Sequence, residues 1–213
     1  GERIWNVAPL SHREFLARAL RAMWAELGGR IAGRVRDGTV PADAVPLAAI
    51  ESPPLAQVIR DINKYSNNVM ARQLFLTLAS GNGTPADTAG AASAVRAWAA
   101  RRGLALPSLV LENGCGLSRI ERISAADMAA LLRNAWASSV MPEFMSSMPV
   151  LAVDGTLRRR LRNSPASGQA HLKTGSLADT RSIAGYVLDR NGQRVLLVAW
   201  LNHPNAKRAQ PVL

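Results

Sequence analysis

The stretch His171-Leu172-Lys173-Thr174-Gly175-Ser176 opens the part of the chain that decides the fold. Its pattern predicts a strand, and two further apolar runs, Ser182 to Leu188 and Val195 to Asn202, predict a second and a third. Asn191-Gly192 lies between the last two runs and is typical of the tight turn of a β-hairpin. The last third of the sequence therefore predicts an antiparallel meander.

Helical patterns dominate the rest of the chain. Ser11 and Glu14 have the spacing of a capping box, and apolar residues at helical spacing follow as far as Gly28-Gly29. More helices are predicted for Leu55 to Ile62, Val69 to Leu78, Thr84 to Arg102, Ser124 to about Ala137, and a short stretch from Met141. Helices followed by consecutive strands indicate an α+β fold, in which helices pack on one antiparallel sheet.

Two short segments between the first and second helices also have a strand-like composition. Ile31 to Arg36 and Val45 to Glu51 predict two strands separated by a Gly/Pro/Asp turn, and Pro53-Pro54 closes the second.

The composition excludes several classes of protein. The 213 residues contain no apolar run near the ~18 residues of a membrane span. A single cysteine, Cys115, excludes an internal disulfide framework and leaves too few thiolates for a structural zinc site. The histidines His12, His171 and His203 lie far apart in the sequence, which therefore predicts no metal centre.

The formal net charge of +11 favours an acidic partner, which could be nucleic acid, an anionic membrane or a cell-wall polymer. Aromatic residues make up only 5% of the chain, too few for a base-stacking ladder, which disfavours nucleic acid. The densest basic cluster, Arg158 to Arg162, is interpreted as a solvated face.

Two motifs carry side chains suited to catalysis. Ser66-Asn67-Asn68 places a hydroxyl and a carboxamide at the start of a helix, although serine and asparagine are also common helix caps. In Lys173-Thr174-Gly175-Ser176, the lysine supplies positive potential, the two hydroxyls can bind a carboxylate, and Gly175 allows close approach to the backbone. Alone, either motif is compatible with a structural role.

Together the motifs point to one family. Serine acyl-transferases of the penicillin-binding type carry Ser-x-x-Lys, Ser-x-Asn and Lys-Thr-Gly in this order, and the chain has the second and third. The chain resembles the class C low-molecular-mass penicillin-binding proteins, the D-alanyl-D-alanine carboxypeptidases and endopeptidases of bacterial peptidoglycan, from Ser11 to Leu213. Five blocks carry the resemblance: the segment from Tyr65 to Leu74, the loop from Glu112 to Arg119, Asp154 to Leu157, His171 to Ser176, and Asn202 to Asn205.

The resemblance implies part of a serine β-lactamase/penicillin-binding-protein transpeptidase-like fold. Residues 1–50 would be the end of an inserted region and the return into the catalytic domain, and residues 51–213 the C-terminal part of the D,D-peptidase domain. No serine in the chain has lysine three positions later, so the nucleophile motif is absent. The family carries that motif upstream and continues past Asn205 into a final helix, so we expect a C-terminal portion that lacks both. Family members usually have serine in place of Cys115, which is interpreted as a small buried residue.

The resemblance also implies roles for the motif residues. Ser66 would relay a proton to the departing amine, Asn68 would bind the substrate backbone, and Lys173 would hold the proton network. Thr174 and Ser176 would bind the terminal carboxylate beside Gly175, and the Ser176 N–H would form half of an oxyanion hole. The missing serine would form the acyl-enzyme, so this chain alone is expected to be inactive.

The expected partners follow from the same family. They are peptidoglycan stem peptides ending in D-Ala-D-Ala, β-lactams as inhibitors and the N-terminal piece of the same protein, with no nucleic acid. The expected location is periplasmic or otherwise extracytoplasmic, and no cofactor is implied.

Two alternatives stay open from the sequence. A non-catalytic module that binds peptidoglycan or another anionic polymer would use the charge of +11. A β-lactamase shares the motif set.

Overall fold

The structure, a computed structural model, describes residues 9–81 and 85–209. Contacts divide the chain into two compact units, Gly1–Glu51 and Ser52–Leu213. Among the helices of the described residues, none combines the length and the apolar character that crossing a membrane requires.

The first unit contains helix α1 (His12–Glu26). The predicted capping box is confirmed: Ser11 Oγ accepts the Glu14 N–H, and the Glu14 carboxylate accepts the Ser11 N–H at 2.9 Å. These two bonds satisfy backbone donors that the first helical turn leaves without intrahelical partners.

The prediction of strands at Ile31–Arg36 and Val45–Glu51 is wrong. Residues 30–51 form no strand and pair with no strand in the described part of the chain. Val45, Leu47 and Ile50 are at least 87% exposed, so their apolar side chains pack against nothing that would fix a register. A strand needs a hydrogen-bonded neighbour, which local composition does not supply.

The second unit begins with helices. They are α2 (Leu55–Tyr65), α3 (Asn68–Thr77), α4 (Thr88–Arg101), α5 (Ala125–Trp136) and α6 (Met141–Ser147), followed by a 3-10 turn (Gly155–Leu157). A second 3-10 turn (Ala206–Ala209) follows the strands described below. Ser124 caps α5 as predicted, accepting the Asp127 N–H at 3.0 Å. The predicted start of α4 at Thr84 lies outside the described residues. The helix begins at Thr88, because Asp87 caps it by accepting the Gly90 N–H at 2.7 Å.

The predicted antiparallel meander is confirmed. It consists of β1 (Ala170–Ser176), β2 (Thr180–Leu188) and β3 (Arg194–Asn202), in the spatial order β1-β2-β3. Helices and one antiparallel sheet together form the α+β architecture that the sequence predicts.

Both faces of the sheet are covered. On one face, Leu172 and Ile183 pack with Leu151 and Leu157 from the segment before the sheet. On the other, Ala184 and Tyr186 pack with Leu132 of α5, and the Tyr186 hydroxyl donates to the Leu132 carbonyl at 2.7 Å. Because side chains alternate along a strand, consecutive residues of β1 face two different sets of neighbours.

Candidate active site

The junction between α2 and α3 carries the first motif. Ser66 ends α2 in the left-handed conformation (φ 52°), and Asn67 caps α3 by accepting the Met70 N–H at 3.1 Å. The capping role considered for this motif therefore belongs to Asn67. Ser66 and Asn68, on either side of it, are half-buried at the cleft described below.

Lys173 of β1 meets this junction. Its ammonium group donates to Ser66 Oγ at 2.5 Å and to the Thr174 carbonyl at 2.9 Å, although Ser66 and Lys173 are 107 residues apart. Burial lowers the pKa of Lys173, because removal from water disfavours the charged form. The two motifs are thus joined by one hydrogen bond. Its donor is the Lys173 ammonium group, whose lowered pKa makes the proton easier to remove, and its acceptor is the Ser66 hydroxyl.

A tight loop forms the next wall. Glu121 holds it by accepting the N–H groups of Glu112, Asn113 and Gly114 at 2.8 to 3.0 Å. The Asn68 amide donates to the Cys115 carbonyl at 2.6 Å, which fixes the position of the amide against the loop.

A partly buried ion pair anchors the opposite wall. The Lys64 ammonium donates to the Asp154 carboxylate at 2.6 Å and to the Met148 carbonyl at 2.7 Å, and the Lys64 side chain is 6% exposed. Asp154 also accepts the Val150 N–H at 2.7 Å. The pair joins the end of α2, two residues before Ser66, to the turn that carries Thr156.

The three walls enclose a cleft of about 550 Å³ along β1. Ser66 and Asn68 line one side of the cleft, Cys115 to Leu117 another, and Thr156 and Arg160 a third, with residues 173–176 along the strand. The charged side chains that line it are Arg160, Lys173 and Arg181, and no carboxylate is among its described lining residues. A cleft of this charge and hydroxyl content suits a ligand that carries a carboxylate.

A substitution at Gly155 tests the contact between the α2 end and the 3-10 turn. Gly155 has φ 54°, and an added Cβ would lie 2.5 Å from the Lys64 carbonyl oxygen. Gly168 also has positive φ (74°), but a Cβ there would contact nothing within 4 Å. We expect Gly155→Ala to lower the free energy of unfolding by about 3 kcal/mol and Gly168→Ala by about 1 kcal/mol, measured by urea denaturation. Equal losses would contradict the close contact.

The structure brings the proposed site residues together. Ser66, Asn68, Lys173, Thr174, Gly175 and Ser176 all line the one cleft. Gly175 also has a packing role, because an added Cβ would lie 2.3 Å from Ser182 Oγ on β2.

Sequence reasoning missed part of the site. The interpretation of the basic cluster as a solvated face is wrong for Arg160, which is half-buried and lines the cleft. It holds for the exposed members Arg158, Arg159 and Arg162. Arg160 follows Thr156 by four residues, a spacing that would have placed both on one side of a helical turn. Cys115, expected to be buried, is half-buried and also lines the cleft.

The comparison with protein families decides which family this site belongs to. The model of the D-Ala-D-Ala carboxypeptidase 3 (S13) family matches residues 6–211. The chain belongs to this family. The resemblance to penicillin-binding D,D-peptidases is thereby confirmed.

Individual S13 relatives agree with this membership. The chain is 27% identical over 192 residues to the D-alanyl-D-alanine carboxypeptidase DacB of Haemophilus influenzae, covering 89% of this chain and 39% of that protein. It is 32% identical over 180 residues to the D-alanyl-D-alanine carboxypeptidase of Actinomadura sp., covering 78% of this chain and 32% of that protein. The chain thus spans less than two fifths of the length of these S13 relatives.

A solved structure confirms the fold expected of an S13 protein. The crystal structure of penicillin binding protein 4 (dacB) from Haemophilus influenzae matches with a TM-score of 0.81 and 26% identity, over 91% of this chain and 44% of that chain. The same protein complexed with a β-lactam matches with a TM-score of 0.77 and 26% identity, over 88% of this chain and 44% of that chain. The chain therefore has part of the penicillin-binding-protein fold.

Proposed function

We propose that this chain is the C-terminal, substrate-recognising part of a serine-type D-alanyl-D-alanine carboxypeptidase/endopeptidase. Residues 1–50 are the end of an inserted region, and residues 51–213 belong to the D,D-peptidase domain. The observation that carries the proposal is the bond from Lys173 to Ser66 at 2.5 Å, which joins the two family motifs at the edge of one cleft.

The reaction is acyl transfer through an acyl-enzyme. A serine of a Ser-x-x-Lys segment, a motif absent from this sequence, attacks the carbonyl of the D-Ala-D-Ala bond, and water later hydrolyses the ester. Ser66 passes a proton to the nitrogen of the leaving D-alanine, and Lys173 holds that hydroxyl in place. The lowered pKa of Lys173 supports this role, because its proton is more readily moved.

The remaining residues recognise the substrate. Asn68, held by the Cys115 carbonyl, binds the peptide backbone, and the hydroxyls of Thr174 and Ser176 bind the terminal carboxylate. The Ser176 N–H supplies one donor of the oxyanion hole, and the nucleophilic serine supplies the other. This chain alone is consequently inactive, since nothing in it attacks the carbonyl.

The substrate class determines the setting. Peptidoglycan stem peptides ending in D-Ala-D-Ala are the substrates, and β-lactams occupy the same cleft as inhibitors. Because peptidoglycan lies outside the cytoplasmic membrane, the protein acts in the periplasm or another extracytoplasmic space.

Stereoselective binding tests this function without the nucleophile. We expect NMR titration of this chain with N-acetyl-D-Ala-D-Ala to shift the signals of the cleft residues, whereas the L,L isomer leaves them in place. Thr174→Val should weaken the D,D binding several-fold, because a hydroxyl is lost from the cleft. Thr77→Val, at an exposed site on α3, is the matched control. Equal responses to the two isomers would rule out the proposed recognition.

A further inference from the structure

Glu121 belongs to neither motif, yet its side chain organises the loop that forms one wall of the cleft. One of its carboxylate oxygens accepts the N–H groups of Glu112, Asn113 and Gly114 at 3.0, 2.8 and 2.8 Å. Three consecutive backbone amides therefore converge on one carboxylate oxygen, and hydrogen bonds to a carboxylate are stronger than those between neutral groups. The shape of this loop thus depends on Glu121.

Two further contacts hold the loop in place. The Asn113 side-chain carbonyl accepts the Cys115 N–H at 2.9 Å, which closes a turn around Gly114. Gly114 itself (φ 68°) lies against the ring of Phe75, a buried residue of α3, so closely that an added Cβ would overlap the ring. The Cys115 carbonyl is therefore presented at a fixed position beside α3, the helix that begins with Asn68.

The Cys115 carbonyl decides which way the Asn68 carboxamide points. A carbonyl oxygen can only accept a hydrogen bond, so the Asn68 atom that lies 2.6 Å from it is the amide nitrogen. That bond uses one N–H, and the second N–H and the amide oxygen give the cleft one donor and one acceptor at defined positions. A peptide group carries the complementary acceptor and donor, so its binding depends on this orientation.

We propose that Glu121 is a positioning residue for the substrate: through the loop and the Cys115 carbonyl, it fixes the orientation in which Asn68 binds the peptide backbone. The inference rests on the function proposed above and adds a residue to it. Glu121 is not among the described residues that line the cleft, so it can act on a ligand only through residues that do.

A spectroscopic signal of Asn68 tests the first step of this inference in the chain alone. The Asn68 side chain gives two amide N–H signals in an NMR spectrum, and the proton donated to the Cys115 carbonyl is shifted by that bond. We expect Glu121→Leu to move this signal toward the position of an amide in water, because the loop loses its anchor. Glu112→Leu, the matched control at an exposed position of the same loop, should leave the signal in place. An Asn68 signal that Glu121→Leu does not change would overturn the inference.

A double-mutant cycle tests the second step. NMR titration measures the binding of N-acetyl-D-Ala-D-Ala by the wild type, Glu121→Leu, Asn68→Ala and the double variant. We expect Glu121→Leu to weaken binding about tenfold when Asn68 is present and less than about twofold when Asn68 is already alanine. Equal losses in the two backgrounds would overturn the inference, because Glu121 would then act independently of Asn68.

The outcomes separate this inference from the proposed function. If the wild type binds the D,D and L,L isomers equally, the proposed function fails and this inference fails with it. If the wild type selects the D,D isomer but the two losses are additive, only this inference is overturned. Should Glu121→Leu not fold, Glu121→Asp takes its place in both experiments with the same required results, because it withdraws the carboxylate from the loop by one methylene group.

Discussion

Replacement of Lys64 by methionine is expected to lower the free energy of unfolding by about 3 kcal/mol. Methionine fills a similar volume, but it leaves the Met148 carbonyl without its donor and the Asp154 carboxylate without its cation. The loss lies at the lower end of the range for broken buried pairs, because the Asp154 side chain is 35% exposed and water can partly replace its partner. Urea denaturation measures the change.

Lys207→Met is the matched control for this substitution. Lys207 is exposed, and its loss should change the free energy of unfolding by less than about 0.5 kcal/mol. An equally small effect of Lys64→Met would contradict the anchoring role of the ion pair.

The same pair makes stability depend on pH in a defined direction. Burial opposes ionisation of Asp154, but the hydrogen bonds from Lys64 and Val150 outweigh it and lower its pKa below the ordinary value of 3.8. A lowered pKa stabilises the folded chain above pH 3.8, and this contribution is lost as the pH falls through the folded-state pKa. Lys64→Met should therefore flatten the acid side of the stability curve.

Replacement of Lys173 by methionine is expected to slow acylation by penicillin about 10²- to 10⁴-fold. The measurement uses this chain assembled with a polypeptide that carries the Ser-x-x-Lys segment of an S13 protein. The loss follows because Lys173 is the described donor to Ser66, which is proposed to carry the proton to the leaving group.

Lys207→Met again provides the control. It removes one positive charge from an exposed residue that does not line the cleft, and it should leave the acylation rate within about twofold of the wild type. A rate for Lys173→Met close to that of the control would remove Lys173 from the proposed mechanism.

Local signals in the sequence predicted most of the secondary structure. Helix caps and tight turns act on residues within a few positions of themselves. The helices that begin after Ser11 and Ser124, and the strand that follows the turn at Asn191-Gly192, therefore lie close to their predicted positions. The strands expected at Ile31–Arg36 and Val45–Glu51 failed for the opposite reason. A strand forms only with a hydrogen-bonded partner strand, which can lie at any distance along the chain, and local composition does not reveal that partner.

The sequence likewise predicted some features of the candidate site and not others. Order along the chain was enough to associate Ser66 with Lys173, because both motifs belong to one known family pattern. The Lys64–Asp154 pair joins residues 90 positions apart, and no local pattern marked it. Arg160 was grouped with its exposed neighbours because the sequence does not distinguish the members of an arginine run. In the structure, Arg160 lines the cleft, whereas Arg158 and Arg159 are exposed and do not line it.

This chain is proposed to provide the recognition and proton-transfer side of a D,D-peptidase site whose nucleophile lies in a Ser-x-x-Lys segment. Intact-mass spectrometry after incubation with penicillin tests it most directly, first on the chain alone and then on the chain assembled with a polypeptide carrying that segment. We predict an unmodified 22.8 kDa species in both samples and a penicilloyl adduct on the second polypeptide only. A penicilloyl adduct on the 22.8 kDa chain itself would contradict the claim, because it would place the nucleophile among the serines of this sequence.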